Sequence, residues 1–393
     1  MTLDDIAQQL VITVSGLALK VRLERVLAEL SSYSPELVTD WEIRDEKGDV
    51  LFSLQQFGVI PPREVIERVK VKHDVDIEPN LVMSRAAVPS DPRYQDAWAF
   101  HKPQWDLYQM NAQAAWDCAP GAGAPVIVAV IDSGIATLHP DLVGLVHPNS
   151  RRIMGATFDN LIEDEDGHGT FVAGTIAAIT NNATGMASAT WPITVRLLTL
   201  KFYDPRNPLD AASAAKAIVW AVLQGAKIIN ASWHVGMPST FLRICIQFAE
   251  AMDVLFVTSA GNEGTNNDDP HLPIYPASWV LPNVISVMAT NHNDERPSFS
   301  NYGRTTVHIA APGVRVLSTH YYLGAPVWRT YSGTSAAAAQ VTAAAALVRA
   351  FRPALKAHQV RAHLIASVDP FPFLDCIAGG RLSLERTVCN LPP

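Results

Sequence analysis

The chain has 393 residues, of which 48% are hydrophobic and 17% charged, and its formal net charge is −8. That composition suits a globular protein with a sizeable core; it offers no basic footprint for nucleic acid and no long Lys/Arg block. No uninterrupted apolar run reaches the roughly 18 residues that a membrane span needs.

The chain starts Met1-Thr2-Leu3-Asp4-Asp5, without the basic opening of a secretory signal. Gln8, Gln9 and Lys20 break the apolar stretch that follows. The cytoplasm is therefore the favoured location, with export by another route left open. Residues 1–88 read as a small α+β domain, with strand patterns at 10–14 and 50–57 and helical spacing at 21–30 and 62–71. Residues 89–109 hold Pro89, Asp91 and Pro92 and read as a linker.

From 110 to 393 the pattern changes. Val126-Ile127-Val128-Ala129-Val130-Ile131 is a continuous apolar run, as expected of a strand buried on both faces of a parallel sheet. Similar runs recur at 195–200, 226–229, 254–258 and 284–287. Helical patterns lie at 211–224 and 240–252, and an Ala-rich helix at 336–351. This alternation predicts an α/β fold: a doubly wound, mostly parallel sheet flanked by helices. The four cysteines, Cys118, Cys245, Cys376 and Cys389, are too few and scattered for a disulfide framework. Cys376 and Cys389 can pair near the C-terminus, but four reduced thiols are expected in a chain without an export signal.

Reactive side chains stand out at four places. Asp132 directly follows the first buried run, which puts a carboxylate at the carboxyl end of a strand, where open α/β sheets hold ligands. His168 sits between glycines in Asp166-Gly167-His168-Gly169-Thr170, ahead of a small-residue helix. Ser335, in Ser332-Gly333-Thr334-Ser335, opens the Ala-rich helix, where a backbone N–H and the helix dipole favour a developing oxyanion. Asn262, in Ala260-Gly261-Asn262-Glu263-Gly264, carries an amide that can donate to negative charge. Taken singly these are an ordinary loop aspartate, a structural histidine, a helix cap and a turn asparagine. Together they supply a nucleophile, a base and the carboxylate that orients the base.

In this order the residues resemble the subtilases, the subtilisin-like serine peptidases, over roughly residues 91–367. Asp132-Ser133-Gly134 with His139-Pro140-Asp141-Leu142, Gly167-His168-Gly169-Thr170-Phe171-Val172-Ala173-Gly174 and Gly333-Thr334-Ser335-Ala336-Ala337 look like the family's aspartate, histidine and serine motifs. The resemblance implies a serine endopeptidase with Asp132, His168 and Ser335 as triad and Asn262 as oxyanion donor. It also implies that Ser232, Trp233, His234, Ser259, Ala260 and Gly261 bind a polypeptide substrate. Residues 1–88 are placed like the family's propeptide, an intramolecular inhibitor within a zymogen. No cofactor is expected for the chemistry. A structural calcium is implied where Asp141 and Asn182 lie, since calcium takes carboxylate and amide oxygens.

The chain departs from the family's pattern at Ala336, where Met is usual, at Ala339, where Pro is usual, and at Gln340, where His is common. Without the proline the helix should run straighter. His234 and Val235 replace glycines along the pocket strand and should narrow the cleft, restricting specificity. The alternative reading is a catalytically weak or inactive peptide-binding relative. An esterase or lipase is disfavoured, because Gly333-Thr334-Ser335-Ala336-Ala337 lacks the second glycine of their nucleophile elbow.

Overall fold

The computed structural model describes residues 9–13, 29, 38–44, 50–56, 76–79, 88–95, 104–207, 209–322 and 324–392. Its contacts divide the chain into two compact units, Met1–Ala86 and Ala87–Pro393. In the first, β1 (Gln9–Thr13), β2 (Val38–Arg44), β3 (Val50–Gln56) and β4 (Asp76–Pro79) form an antiparallel sheet in the order β2-β3-β1-β4. The strands expected at 10–14 and 50–57 correspond to β1 and β3. The helices expected at 21–30 and 62–71 fall outside the described residues, apart from Glu29.

The second unit opens with three short helices, α1 (Pro92–Gln95), α2 (Trp105–Gln109) and α3 (Ala112–Asp117). This corrects the linker expected at 89–109 over its described residues, 89–95 and 104–109. Asp91, Tyr94, Gln104, Asp106 and Leu107 are all buried, and Tyr94 stacks on Tyr108 with ring centroids 4.9 Å apart. Proline marks a loop in sequence, but Tyr94 and Leu107 tie the described stretches on either side to the core.

The chain then continues through β5 (Val126–Asp132), β6 (Arg151–Met154), β7 (Thr157–Asp159), α4 (His168–Ala177), β8 (Val195–Lys201), α5 (Ala211–Leu223), β9 (Ile228–Ala231), α6 (Thr240–Ala251), β10 (Leu255–Ser259) and β11 (Val284–Thr290). Next come β12 (Ile309–Pro312), β13 (Val316–Tyr322), β14 (Ala325–Tyr331), α7 (Thr334–Phe351), α8 (Ala357–Ala366), β15 (Val368–Pro370), β16 (Gly380–Leu382) and α9 (Leu384–Cys389). Ten strands form one sheet in the order β15-β16-β12-β11-β10-β9-β5-β8-β6-β7. The five apolar runs are its consecutive centre, β11-β10-β9-β5-β8, all parallel. Antiparallel pairs occur only at its two edges, β15 with β16 and β6 with β7. Among the described residues, no helix is long and apolar enough to cross a membrane.

α7 runs unbroken through Ala339, and all eighteen of its residues are buried. Alanine has the highest helix propensity, and its small side chain lets the sheet come close. Gln340 turns sideways: its Nε2 donates to Asp106 Oδ2. Asp106 is fully enclosed, and burial pushes its pKa up to about 6. Asp106 Oδ1 and Gln340 Oε1 are both buried without a partner.

The cysteine expectation is overturned. Cys118 and Cys389 form a disulfide across a sequence separation of 271, while Cys245 and Cys376 are free and buried. The cause is tertiary: α3 and α9 pack side by side and bring the two residues together.

Candidate active site

Asp132 is the last residue of β5, at the carboxyl edge of the sheet. All of its hydrogen bonds fall on one oxygen. Oδ1 accepts from the Ser133 N–H at 2.7 Å, from His168 Nδ1 at 2.8 Å and from the Tyr203 hydroxyl at 3.2 Å. Oδ2 is buried and has no partner. A carboxylate has no proton to give, so Nδ1 is the donor and His168 Nε2 is left able to take a proton.

His168 opens α4, and a close backbone approach brings it to Asp132. A Cβ on Gly169 would stand 2.3 Å from the Gly134 carbonyl oxygen and 3.2 Å from Asp132 Cβ, so this distance requires glycine. The preceding loop is anchored on buried Asp164. Its Oδ1 accepts from the Ser133 hydroxyl and from the Asp166 and Gly167 N–H groups. Its Oδ2 accepts from the Thr170 N–H and hydroxyl. Nothing in the acidic run Glu163-Asp164-Glu165-Asp166 marks Asp164 as the one that turns inward.

The His168 side chain keeps 14% of its exposure. Burial works against its charged form. The charge and hydrogen bond of Asp132, with Asp166 and Asp164 behind it, outweigh that and hold its pKa above the ordinary 6.5. Tyr331 meets the ring edge-on, with centroids 5.8 Å apart.

Ser335 lies in the first turn of α7, which packs against α4. Its hydroxyl donates to the Ser232 carbonyl oxygen at 3.2 Å, not to His168. A buried network sets Ser232 in place: Thr342 Oγ1 donates to Asn230 Oδ1, Asn230 Nδ2 to Ser232 Oγ, and Ser232 Oγ to the Ser335 carbonyl. Thr334 donates both its N–H and its hydroxyl to Asn262 Oδ1, at 2.9 and 3.0 Å. The amide of Asn262 is thereby oriented, with Nδ2 left as a donor. The Ser335 N–H is among the first-turn donors that have no partner inside a helix.

The expected substrate segments lie side by side. Ser232-Trp233-His234 follows β9, and Ser259-Ala260-Gly261 ends and extends β10, its parallel neighbour. Trp233 Nε1 donates to the Ile131 carbonyl at 2.9 Å, and the Gly261 N–H to Thr334 Oγ1 at 3.2 Å. His234 Nε2 reaches Glu263 Oε1 at 3.3 Å, two residues past the end of the second segment.

Asp141 and Asn182 meet as well, but not as a calcium site. Asn182 Nδ2 donates to Asp141 Oδ1 at 3.2 Å, while the Met186 N–H and Trp328 Nε1 donate to Oδ2 at 3.0 and 2.7 Å. Asn182 turns its carbonyl oxygen away, to the Thr184 N–H at 2.8 Å. The Arg93 guanidinium stacks 5.0 Å above the Trp328 ring. A Cβ on Gly185 would stand 2.1 Å from Asp141 Oδ2 and 2.4 Å from Trp328 Nε1, so the cradle is already filled. Calcium needs several converging oxygens, and here N–H groups face both carboxylate oxygens; these residues do not fit the ion. Burial pushes the Asp141 pKa up, against the lowering effect of those donors. Among the described residues, no group of three or more His, Cys, Asp or Glu side chains converges to hold a metal.

Known proteins resemble this chain over the same region. The profile of the subtilase family matches residues 123–380. Thermitase of Thermoactinomyces vulgaris is 33% identical over 263 residues, covering 66% of this chain and 85% of that protein. Subtilisin Savinase of Lederbergia lenta is 36% identical over 263 residues, covering 66% and 89%. Among solved structures, a protease from Pseudoalteromonas arctica PAMC 21717 superposes with a TM-score of 0.67 at 26% identity, covering 78% of this chain and all of that one.

Proposed function

Since the chain belongs to the subtilase family and is a serine endopeptidase, we propose that Asp132, His168 and Ser335 are its triad and Asn262 its oxyanion donor. Ser335 attacks the scissile carbonyl of a polypeptide. His168 Nε2 takes the hydroxyl proton and later gives it to the leaving amine. Asp132 holds the tautomer and stabilises the imidazolium. Asn262 Nδ2 and the Ser335 N–H receive the oxyanion. The observation that carries this reading is the 2.8 Å bond from His168 Nδ1 to Asp132, which leaves Nε2 as the only ring nitrogen able to accept. The bridge from His234 to Glu263 supports a cleft of restricted specificity.

We test it with a fluorophosphonate probe. Ser335 in the wild type should be labelled, while Ser335→Ala and His168→Ala should stay unlabelled. Ser335→Ala should lose about 10⁶-fold in kcat, the figure known for subtilisin's own triad. Labelling of Ser335→Ala at the wild-type rate would remove Ser335 from its role.

A second reading, peptide binding without turnover, draws on the Ser335 hydroxyl pointing to Ser232 rather than to His168. Catalytic hydrogen bonds often form only once substrate is bound, so the same probe decides between the two.

The unit Met1–Ala86 is proposed as the inhibitory segment of a zymogen, a role its antiparallel sheet supports. Self-cleavage falls close to Ala87, because Asp91 and Tyr94 already belong to the second unit's core. The intact mass of purified wild type should drop by this segment, and that of Ser335→Ala should not. The Cys118–Cys389 disulfide supports work in an oxidising compartment rather than the cytoplasm. Thiol titration after unfolding should find two thiols without reductant and four with it.

A further inference from the structure

The triad's carboxylate has an unusual set of partners. Asp132 Oδ1 bears every hydrogen bond the group makes, while Oδ2 is enclosed and bears none. Of the three donors on Oδ1, the Ser133 N–H belongs to the adjacent residue. The other two are side chains, His168 and Tyr203.

Tyr203 stands two residues beyond the last pair of the ladder between β5 and β8. Asp132 pairs with Lys201, and the Phe202 N–H donates to the Asp132 carbonyl at 3.0 Å. The turn that follows is fixed by Asp204, whose Oδ1 accepts from the Arg206 N–H, the Asn207 N–H and Asn207 Nδ2. Phe202 packs on Trp233 with centroids 5.2 Å apart. The Tyr203 hydroxyl is therefore held by backbone pairing on one side and a closed turn on the other, and it meets the same oxygen that holds the imidazole.

We infer that Tyr203 is a positioning residue of the triad, which donates to Asp132 Oδ1 and thereby weakens the pull of that oxygen on the His168 imidazolium. Burial and the Asp132 charge push the Tyr203 phenol far up, so it donates throughout the working pH range. Removing the hydroxyl leaves Oδ1 with fewer donors and more free charge for His168. The imidazolium is then favoured, and the pKa of His168 rises further. The carboxylate also loses a constraint on its rotation, which affects the chemical step more than the binding of substrate.

The inference rests on the triad reading above, and the test separates the two. Tyr203→Phe keeps the ring and removes only the hydroxyl. The acid limb of its kcat/KM profile should move up by about half a pH unit, and kcat should fall roughly 3- to 10-fold with KM nearly unchanged. Normalising to fluorophosphonate-labelled sites restricts the comparison to folded enzyme. The downfield His168 Nδ1–H resonance should shift in Tyr203→Phe, and in Asp132→Asn the added Tyr203→Phe should change nothing. An acid limb that stays in place, or a change confined to KM, overturns the role of Tyr203 while leaving the triad intact. A wild type that never reacts with the probe overturns both.

Discussion

Asp132 and Asp106 are both enclosed carboxylates, and they are served in different ways. Asp132, at the carboxyl edge of the sheet, draws three donors onto one oxygen, and its charge raises the pKa of His168. Asp106, packed against the middle of the helix, has a side-chain partner only in Gln340 and rises to about 6. Burial is common to both. At Asp106 burial outweighs the hydrogen bonds that the carboxyl receives and drives it towards its neutral form. Asp141 is a third arrangement, an enclosed carboxylate with N–H donors on both oxygens.

The largest expected effect is at the front. Asp132→Asn removes the acceptor that sets the His168 tautomer and should lower kcat about 10⁴-fold, measured on a peptide substrate. A loss below tenfold would break the contrast at once. The same carboxylate sets the pH dependence. His168 must be neutral to take a proton, and its pKa lies above 6.5, so wild-type kcat/KM should fall as pH drops through a midpoint above that value.

Asp106 should show itself in stability. Its folded pKa, near 6, exceeds the ordinary 3.8, so between those values the folded state keeps a proton that the unfolded chain releases. The contribution is fully present below about pH 4 and is lost as pH rises through about 6, a change of about 3 kcal/mol. Asp106→Asn offers Gln340 an NH₂ donor and does not titrate. In urea titrations on a Ser335→Ala background, which avoids self-digestion, the variant should gain on its parent from pH 4 to 7. A parallel pH dependence in the two proteins would refute the assignment.

The smallest effect sharpens the third case. Trp328→Phe takes one donor from Asp141 and should cost about 1.5–3 kcal/mol, read as a lower Tm. EDTA and added calcium should both leave the wild-type Tm where it was. A Tm that climbs with calcium would put a cation where the N–H groups are.

Much of the architecture is written locally. The apolar runs of β5, β8, β9, β10 and β11 are buried on both faces, and a strand in that position has no polar side to show, so continuous hydrophobicity marks it. Strands β6, β7, β13 and β14 carry exposed or half-buried residues and lack that signal. Asp132, His168 and Asn262 stand out in the sequence because each sits close to a glycine that takes positive φ, Gly134, Gly167 and Gly261, while Ser335 stands out by opening the Ala-rich helix.

The sequence by itself determined the alternation of strand and helix and the family resemblance, and it marked the residues proposed as the catalytic line, since these depend on neighbours a few positions away. Only the tertiary structure decided that Cys118 finds Cys389, that Trp328 reaches Asp141, that Gln340 faces Asp106 and that Tyr203 shares an oxygen with His168. Such pairs are set by how helices and sheet pack, and side chains far apart in the chain carry no local mark of the partner they will meet.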